Sequence, residues 1–501
     1  MAAGKPKTSR HTEVERKFDV VDSTVSPSFE GLSAVGRVER EPTQHLEAVY
    51  FDTPDHDLAC HRITLRRRTG GSDAGWHLKL PAGPDTRTEV RAPLNDGDDD
   101  VVPDPLKDVV LAIVRDRPLE PVARISTDRT VDLLYDTEGS PIAEFSDDKV
   151  VASAGEGVHQ QWREWELELV EGGSATGDLL DRLANRLLDA GAAPAGHGSK
   201  LARVLAGADG GGGKDGQKPA KRATDPIHKA VAEQVDQLVE WDRAVRADVY
   251  DSVHQMRVTT RKIRSLLQSA EGAFGISDDA WVLDELRQLA AVLGVARDAE
   301  VLAERYEKAL DELPEDLVRG PIQKRLVDGA KRRYQSGLRR SLVAMRSDRY
   351  FRLLDALEDL VATDTPTAAG GDDSATVTID SAYKRVRKAA KRAADAASDD
   401  RDEALHRIRK GAKRLRYTAA ATGADKVSDR AKNIQSLLGD HQDSVVSRTH
   451  LAQQADAAHA AGEDTFTYGL LYAREDALAI EARQQLDSAL KKLDKSVKKA
   501  R

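Results

Sequence analysis

Between Gly207 and Thr224 the chain reads GADGGGGKDGQKPAKRAT, with four consecutive glycines and no apolar periodicity. A segment of this composition buries no apolar surface and acts as a flexible tether. No single core can run through it, so folding units must lie on both sides. The hydrophobic pattern also changes across it. Before it, short alternating segments recur between turn signals: Thr12 to Phe18, Arg62 to Arg68, Trp76 to Leu80, Arg87 to Arg91 and Trp162 to Val170. This is the pattern of antiparallel strands. A helix is expected from Thr176 to Ala190. After the tether, apolar residues return every three or four positions over long stretches, which reads as all-helical. A looser stretch, Ala362 to Ala375, divides the helical part in two. The expected plan is a disordered start (1–9), a β-rich domain (10–206), the linker (207–224) and a helical domain (225–495) with halves 225–361 and 376–495.

A length of 501 residues suits this plan at roughly 100–200 residues per domain. Net charge is −9, from 76 Lys and Arg against 85 Asp and Glu, so the whole chain is no general polyanion binder. Basic residues therefore count only where they cluster. The single cysteine, Cys60, excludes an internal disulfide framework and a Cys-rich zinc site, and suits a reducing compartment. The opening MAAGKPKTSR lacks the apolar run of a secretory signal, and no stretch of about eighteen apolar residues is present to span a membrane. A cytoplasmic protein without a membrane partner is expected.

Strand parity sends alternate side chains to one face. Glu13, Glu15 and Lys17 share a face; so do Arg66 and Arg68, His77 and Lys79, Arg87 with Glu89 and Arg91, Glu144 and Asp148, and Glu164 with Glu166 and Glu168. The opposite faces carry Leu65, Trp76, Leu78, Leu80, Trp165, Leu167 and Leu169. For one strand, a charged face is ordinarily a solvated one. Repeated over these six segments, acidic and basic together, it suits a sheet closed into a barrel around an anionic ligand and its metal. A triphosphate with Mg²⁺ or Mn²⁺ has that chemistry: carboxylates hold the hard cation, while Arg forks and Lys ammonium groups bind the remaining oxygens.

These segments resemble the CYTH domain of the triphosphate tunnel metalloenzymes, a family that includes thiamine triphosphatases, inorganic triphosphatases and one class of adenylate cyclase. The resemblance is carried by Glu-x-Glu-x-Lys at Glu13, Glu15 and Lys17, YFDTPD at Tyr50 to Asp55, LRRR at Leu65 to Arg68, HLKLP at His77 to Pro81, Glu-x-Glu at Glu166 and Glu168, and GSKLARVL around Lys200. It covers about residues 10–206. It implies that Glu13, Glu15, Asp148, Glu166 and Glu168 bind the metal, with Glu144 assisting. It implies that Lys17, Arg66, Arg68, Lys79, Arg91 and Arg124 clamp phosphates and that Lys200 closes the tunnel. Glu13, Glu15 and Lys17 form the implied catalytic set. Arg129 falls on the parity opposite Arg124, and its role stays open.

The helical part contains one motif twice. HQMRVTTRKIRS, His254 to Ser265, aligns with HRIRKGAKRLRY, His406 to Tyr417. His254, Arg257, Arg261 and Arg264 repeat as His406, Arg409, Lys413 and Arg416, and Lys262 matches Arg414. Their i, i+3, i+7, i+10 spacing forms one helical row. Beside each runs an apolar row: Val253, Met256, Thr260, Ile263 and Leu267, then Leu405, Ile408, Ala412, Leu415 and Ala419. Like charges along a row repel, so the row costs stability without an anionic partner. LGVARDAEVL from Leu293 and LGDHQDSVVS from Leu438 form a second matching pair, aligning Asp298 with Asp443.

These features resemble the CHAD domain, a conserved-histidine helical domain that binds polyphosphate, over about residues 225–495. The resemblance implies that both rows, with Lys384, Arg385, Arg387 and Lys388, line a basic groove, and it allows association with polyphosphate granules. The expected fold is multidomain α+β: an N-terminal antiparallel β barrel or tunnel with flanking helices, then an all-α domain of two pseudo-twofold-related bundles. The favoured function is metal-dependent hydrolysis of inorganic triphosphate or a related compound, with polyphosphate held by the helical domain. A tether of this length would keep a shared ligand at an effective concentration on the order of millimolar. The alternative is a non-catalytic polyphosphate-binding or localisation protein. A cyclase or a nucleic-acid binder ranks below both, since no purine pocket is evident and aromatic platforms for bases are missing around the rows. Protein partners are left open.

Overall fold

The structure is a computed structural model describing residues 8–94, 100–155, 158–170, 177–208, 226–269, 274–276, 280–362, 379–395, 401–421 and 423–500. Residues 1–7 and most of the stretches read as tether and as loose divider lie outside them. The chain divides into two compact units: Met1–Ala290 with Leu342–Thr365, and Ala291–Ser341 with Pro366–Arg501.

The alternating half forms β1 (Ser9–Val20), β2 (Arg37–Arg40), β3 (Gln44–Asp52), β4 (Thr64–Thr69), β5 (Gly75–Pro81), β6 (Thr86–Ala92), β7 (Glu120–Tyr135), β8 (Pro141–Ala154), β9 (Val158–Leu169) and the short β10 (Ala193–Pro194). Between them lie α1 (Asp57–Cys60), α2 (Asp104–Val114), α3 (Gly177–Asp189) and α4 (Lys200–Ala208). The order β1-β6-β5-β4-β3-β7-β8-β9 returns to β1, so eight antiparallel strands close into a barrel, with β2 and β10 added outside the ring. Closure lets every second side chain face an enclosed interior.

The two faces are sorted by chemistry. Outward-facing Trp165, Leu167, Leu169 and Phe145 pack under Leu180, Leu183 and Leu187 of α3. Along the inward face of β9, Glu168, Glu166 and Glu164 give way to Trp162. There α4 inserts Leu201 and Val204 among Ile125, Val150, Ala152 and Trp162. This apolar plug seals one end of the barrel and leaves Lys200, the first residue of α4, facing the charged interior.

The first unit also contains α5 (Pro226–Arg246), α6 (Ser252–Ser269), the start of α7 (Trp281–Asp311), the end of α8 (Ile322–Ala344) and α9 (Asp348–Ala362). The barrel's α2 packs against α5, and α5 packs against α9. Buried Arg115 pairs with Asp355 and Glu358 of α9, Arg346 Nη2 donates to Asp108 Oδ2 at 2.6 Å, and Arg243 Nε donates to the Val109 carbonyl at 3.3 Å. The barrel is thus docked on helices, not held by the tether alone.

The second unit joins the rest of α7 and α8 to α10 (Ile379–Ala394), α11 (Arg401–Ala421), α12 (Asp425–Ala460) and α13 (Phe466–Lys499). One core lies among α10 to α13, around Val386, Leu415, Ile434 and Leu493. Another joins Tyr306, Leu326, Leu451 and Leu471 from α7, α8, α12 and α13. Gly337 lets α8 cross α7 closely: a Cβ there would stand 2.7 Å from the Ala296 backbone nitrogen. Both apolar rows beside the duplicated motif are buried, each residue at 7% exposure or less.

Candidate functional site

The barrel encloses a cavity of about 310 Å³ whose wall carries eight cationic and eight acidic side chains. The cations are Lys17, Arg66, Arg68, Lys79, Arg87, Arg91, Arg129 and Lys200. Strand alternation puts seven of them there, and Lys200 reaches the wall from the first turn of α4. Glu15 faces Glu168, and Lys17 faces Glu166, across β1 and β9.

At the plugged end the charges are tightly paired. Lys200 Nζ lies 2.8 Å from Asp148, 2.7 Å from Glu164 and 2.7 Å from Glu166. These three carboxylates converge as metal ligands would, but their shared centre is taken by the Lys200 ammonium. Arg129 grips both oxygens of Asp148 at 2.8 and 2.7 Å and reaches Glu166 at 2.5 Å, while Lys17 bonds Glu166 at 2.5 Å and Glu15 at 2.8 Å. Burial alone would raise Glu15, yet Lys17 and Lys79 bring it down to about 2.

Elsewhere in the cavity the balance is poorer. Burial raises the Glu168 carboxyl to about 7; Lys79 opposes the rise, and Glu13, Glu15 and Glu144 add to it. Glu13 is raised too, chiefly by burial, although Lys79 bonds it at 2.6 Å. Glu13, Glu144 and Glu168 are therefore oxygen donors that repel one another, which is the donor set a hard divalent cation relieves. Among the cations, Arg66 donates to the Tyr50 hydroxyl at 3.2 Å and has no carboxylate bond among the described residues. Burial lowers Arg68 to about 9, with Arg66 and Arg129 adding to the fall. Two crowded guanidiniums of this kind favour an incoming anion.

The structure brings Glu13, Glu15, Lys17, Arg66, Arg68, Lys79, Arg91, Glu166, Glu168 and Lys200 to the cavity wall. Asp148 is fully buried behind it, bound to Arg129 and Lys200. Arg124 is a correction. It stands exposed on the outer face of β7, because the residues of odd number in that strand, Ile125, Thr127, Arg129 and Val131, turn inward. Arg129 occupies the place expected of Arg124. Parity separated the two residues but did not say which face was inner; the register of Arg129 against Asp148 decides it. Tyr50 carried no parity signal, and Glu89 gave only that of its strand. The latter accepts from His77 Nδ1 at 2.8 Å and pairs with Arg91 in the wall.

On the helices, His254, Arg257 and Arg264 of α6 are half-buried while Arg261 and Lys262 are exposed. Arg257 Nε donates to the Ala290 carbonyl at 3.3 Å. On α11, His406 and Arg414 are exposed, and Arg409, Lys413 and Arg416 are half-buried. The Arg409 guanidinium lies over Gly439 of the LGDHQD segment, whose missing side chain makes the room. Lys384, Arg385, Arg387 and Lys388 are exposed on α10.

A closed antiparallel barrel with an ion-paired interior, followed by helices bearing a duplicated basic row, defines a tunnel protein with a helical companion domain. The CYTH domain family matches residues 11–184 and the CHAD domain family residues 229–452. The chain belongs to the family of proteins that join these two domains. Uncharacterized proteins from two strains of Mycobacterium tuberculosis are 65% identical to it over 512 residues, covering 99% of this chain and 99% of each relative. Among solved structures, the CHAD domain from the plant Ricinus communis is 24% identical with a TM-score of 0.40, covering 54% of this chain and 92% of that one. A Hippeastrum protein described as having a dominant triphosphatase activity is 17% identical with a TM-score of 0.26, covering 39% of this chain and 95% of that one.

Proposed function

We propose that the barrel is a metal-dependent triphosphatase and that the basic rows of α6 and α11 bind polyphosphate. The observation that carries this reading is the cavity wall, where crowded guanidiniums stand beside carboxylates that repel one another. A triphosphate brings phosphate oxygens to the guanidinium and ammonium groups, and the carboxylates so released would be free to hold Mg²⁺ or Mn²⁺. Glu13, Glu144 and Glu168 are the best placed to hold that ion, with Glu15 beside them. When bound, it would supply charge stabilisation at the terminal phosphoryl group. Arg66, Arg68, Lys79 and Arg91 orient the chain, Lys17, Arg129 and Lys200 meet its inner end, and the α4 plug excludes bulk water. Water attacks the terminal phosphorus, the bond to the bridging oxygen breaks, and a wall carboxylate takes the water's proton; triphosphate yields pyrophosphate and orthophosphate. His254, Arg257, Arg261, Lys262 and Arg264, and His406, Arg409, Lys413, Arg414 and Arg416, are the proposed polyphosphate contacts.

The test is phosphate release by the full chain from triphosphate, ATP, thiamine triphosphate and long polyphosphate, with Mg²⁺ or Mn²⁺, beside a Glu13→Gln, Glu15→Gln variant. Metal-dependent release from triphosphate should fall at least a hundredfold in the variant, on the order of 3 kcal/mol of lost electrostatic stabilisation. No release from any substrate, with polyphosphate still bound, would sink the enzyme reading and leave a binding protein.

A further inference from the structure

The second unit holds a cavity of about 370 Å³ lined by Arg325, Gly329, Arg332, Arg333, Ser336 and Gln454, residues of neither the tunnel nor the duplicated rows. Gly329, Arg332, Arg333 and Ser336 stand at i, i+3, i+4 and i+7 on α8 and share one face; Gln454 comes from α12. Ile322 and Leu326, seven and three residues before Gly329, continue the same side of α8 toward its N-terminus, where with Val327 they join the core. Small residues at Gly329 and Ser336 leave space beside the two guanidiniums.

Of the three arginines, one is neutralised by a carboxylate and two are not. Arg325 is held by both oxygens of Glu463, one contact being 2.8 Å, and its charge is neutralised. Arg333 is held differently: its Nη2 donates to His450 Nε2 at 2.7 Å. That nitrogen accepts, so the neutral imidazole carries its proton on Nδ1, which donates to the Tyr306 hydroxyl oxygen at 2.8 Å. The two rings stack with centroids 5.6 Å apart, and the Tyr306 hydroxyl donates onward to the Ser447 carbonyl at 3.4 Å. Burial keeps His450 down at about 4, consistent with that tautomer. A neutral acceptor thus fixes the orientation of Arg333 without spending its charge. Arg332, next to it, has no carboxylate partner among the described residues.

We propose that this cavity is a phosphate site, taking inorganic phosphate or the end of a short phosphoanhydride, with Arg332 and Arg333 as the charged forks and Ser336 and Gln454 as neutral donors. Two guanidiniums, a hydroxyl and an amide offer more donors than the two oxygens of a carboxylate can use, whereas a tetrahedral phosphoryl group accepts from all of them. The volume leaves room for more than one phosphoryl group.

The test uses the full chain. Modification of Arg332 and Arg333 by phenylglyoxal is followed by peptide mass spectrometry with and without orthophosphate, tripolyphosphate or sodium chloride at equal ionic strength. Either phosphate should slow modification at these two residues at least fivefold relative to chloride. Protection by orthophosphate assigns the free ion, and protection by tripolyphosphate alone assigns a chain end. Arg332→Gln, Arg333→Gln should lower phosphate affinity at this site at least tenfold by calorimetry. The single Arg332→Gln, at an exposed position, serves if the double variant does not fold. Equal modification in phosphate and chloride, or unchanged affinity in a folded variant, would overturn the proposal. Neither readout depends on whether the barrel turns over substrate.

Discussion

His450 shows how one residue's partners set its chemistry. Held neutral between Arg333 and Tyr306, its folded pKa of about 4 lies below the ordinary 6.5. As pH falls from 6.5 toward 4 the unfolded chain takes up the proton first, so stability present above pH 6.5 is lost through that window. The loss reaches up to about 3 kcal/mol at 1.36 kcal/mol per pH unit. Urea unfolding at pH 7 and pH 4.5 should show wild type losing more stability than His450→Phe, which cannot take up that proton; equal losses would contradict the assignment. At this scale the sequence was legible where chemistry and parity coincide, as in Glu13, Glu15 and Lys17. It was not legible for Arg124 and Arg129, because alternation tells two faces apart without saying which one the closed ring turns inward.

Elements were legible where their period was strong. The apolar rows of α6 and α11 were read from spacing alone, because a helix that buries one row must repeat it every three or four residues. Close approach between elements left a weaker trace, and two glycines separate the cases. At Gly337 an added Cβ would meet the α7 backbone, so Gly337→Ala should destabilise by about 1–3 kcal/mol in urea unfolding, despite the better helix propensity of alanine. At Gly469, in α13, nothing lies within 4 Å of the added carbon, so Gly469→Ala should stabilise by about 0.5–1 kcal/mol. Both are helical glycines in the sequence; only the neighbouring helix distinguishes them.

For the whole molecule, the docking of the barrel on α5 and α9 replaces a tether with a contact. Arg115 stands at φ 59°, left-handed for a residue with a side chain, and reaches Asp355 and Glu358 from there. Arg115→Gly suits that backbone and removes the ion pairs together with the packing of the buried side chain. It should cost about 1–2 kcal/mol, discounted because both carboxylates are largely solvated, and it should speed hydrogen exchange in α2 and α9 while the barrel interior stays protected. Unchanged exchange in both helices would show that the pairs do not hold the contact. The sequence by itself determined the switch from strands to helices, the charged inward faces and the duplicated basic row, because each is a local repeat set by backbone geometry. Tertiary structure decided which cations face the cavity, that Lys200 fills the Asp148, Glu164 and Glu166 cluster, and that the barrel rests on α5 and α9. Those depend on register and on residues distant in the chain, which no local period records.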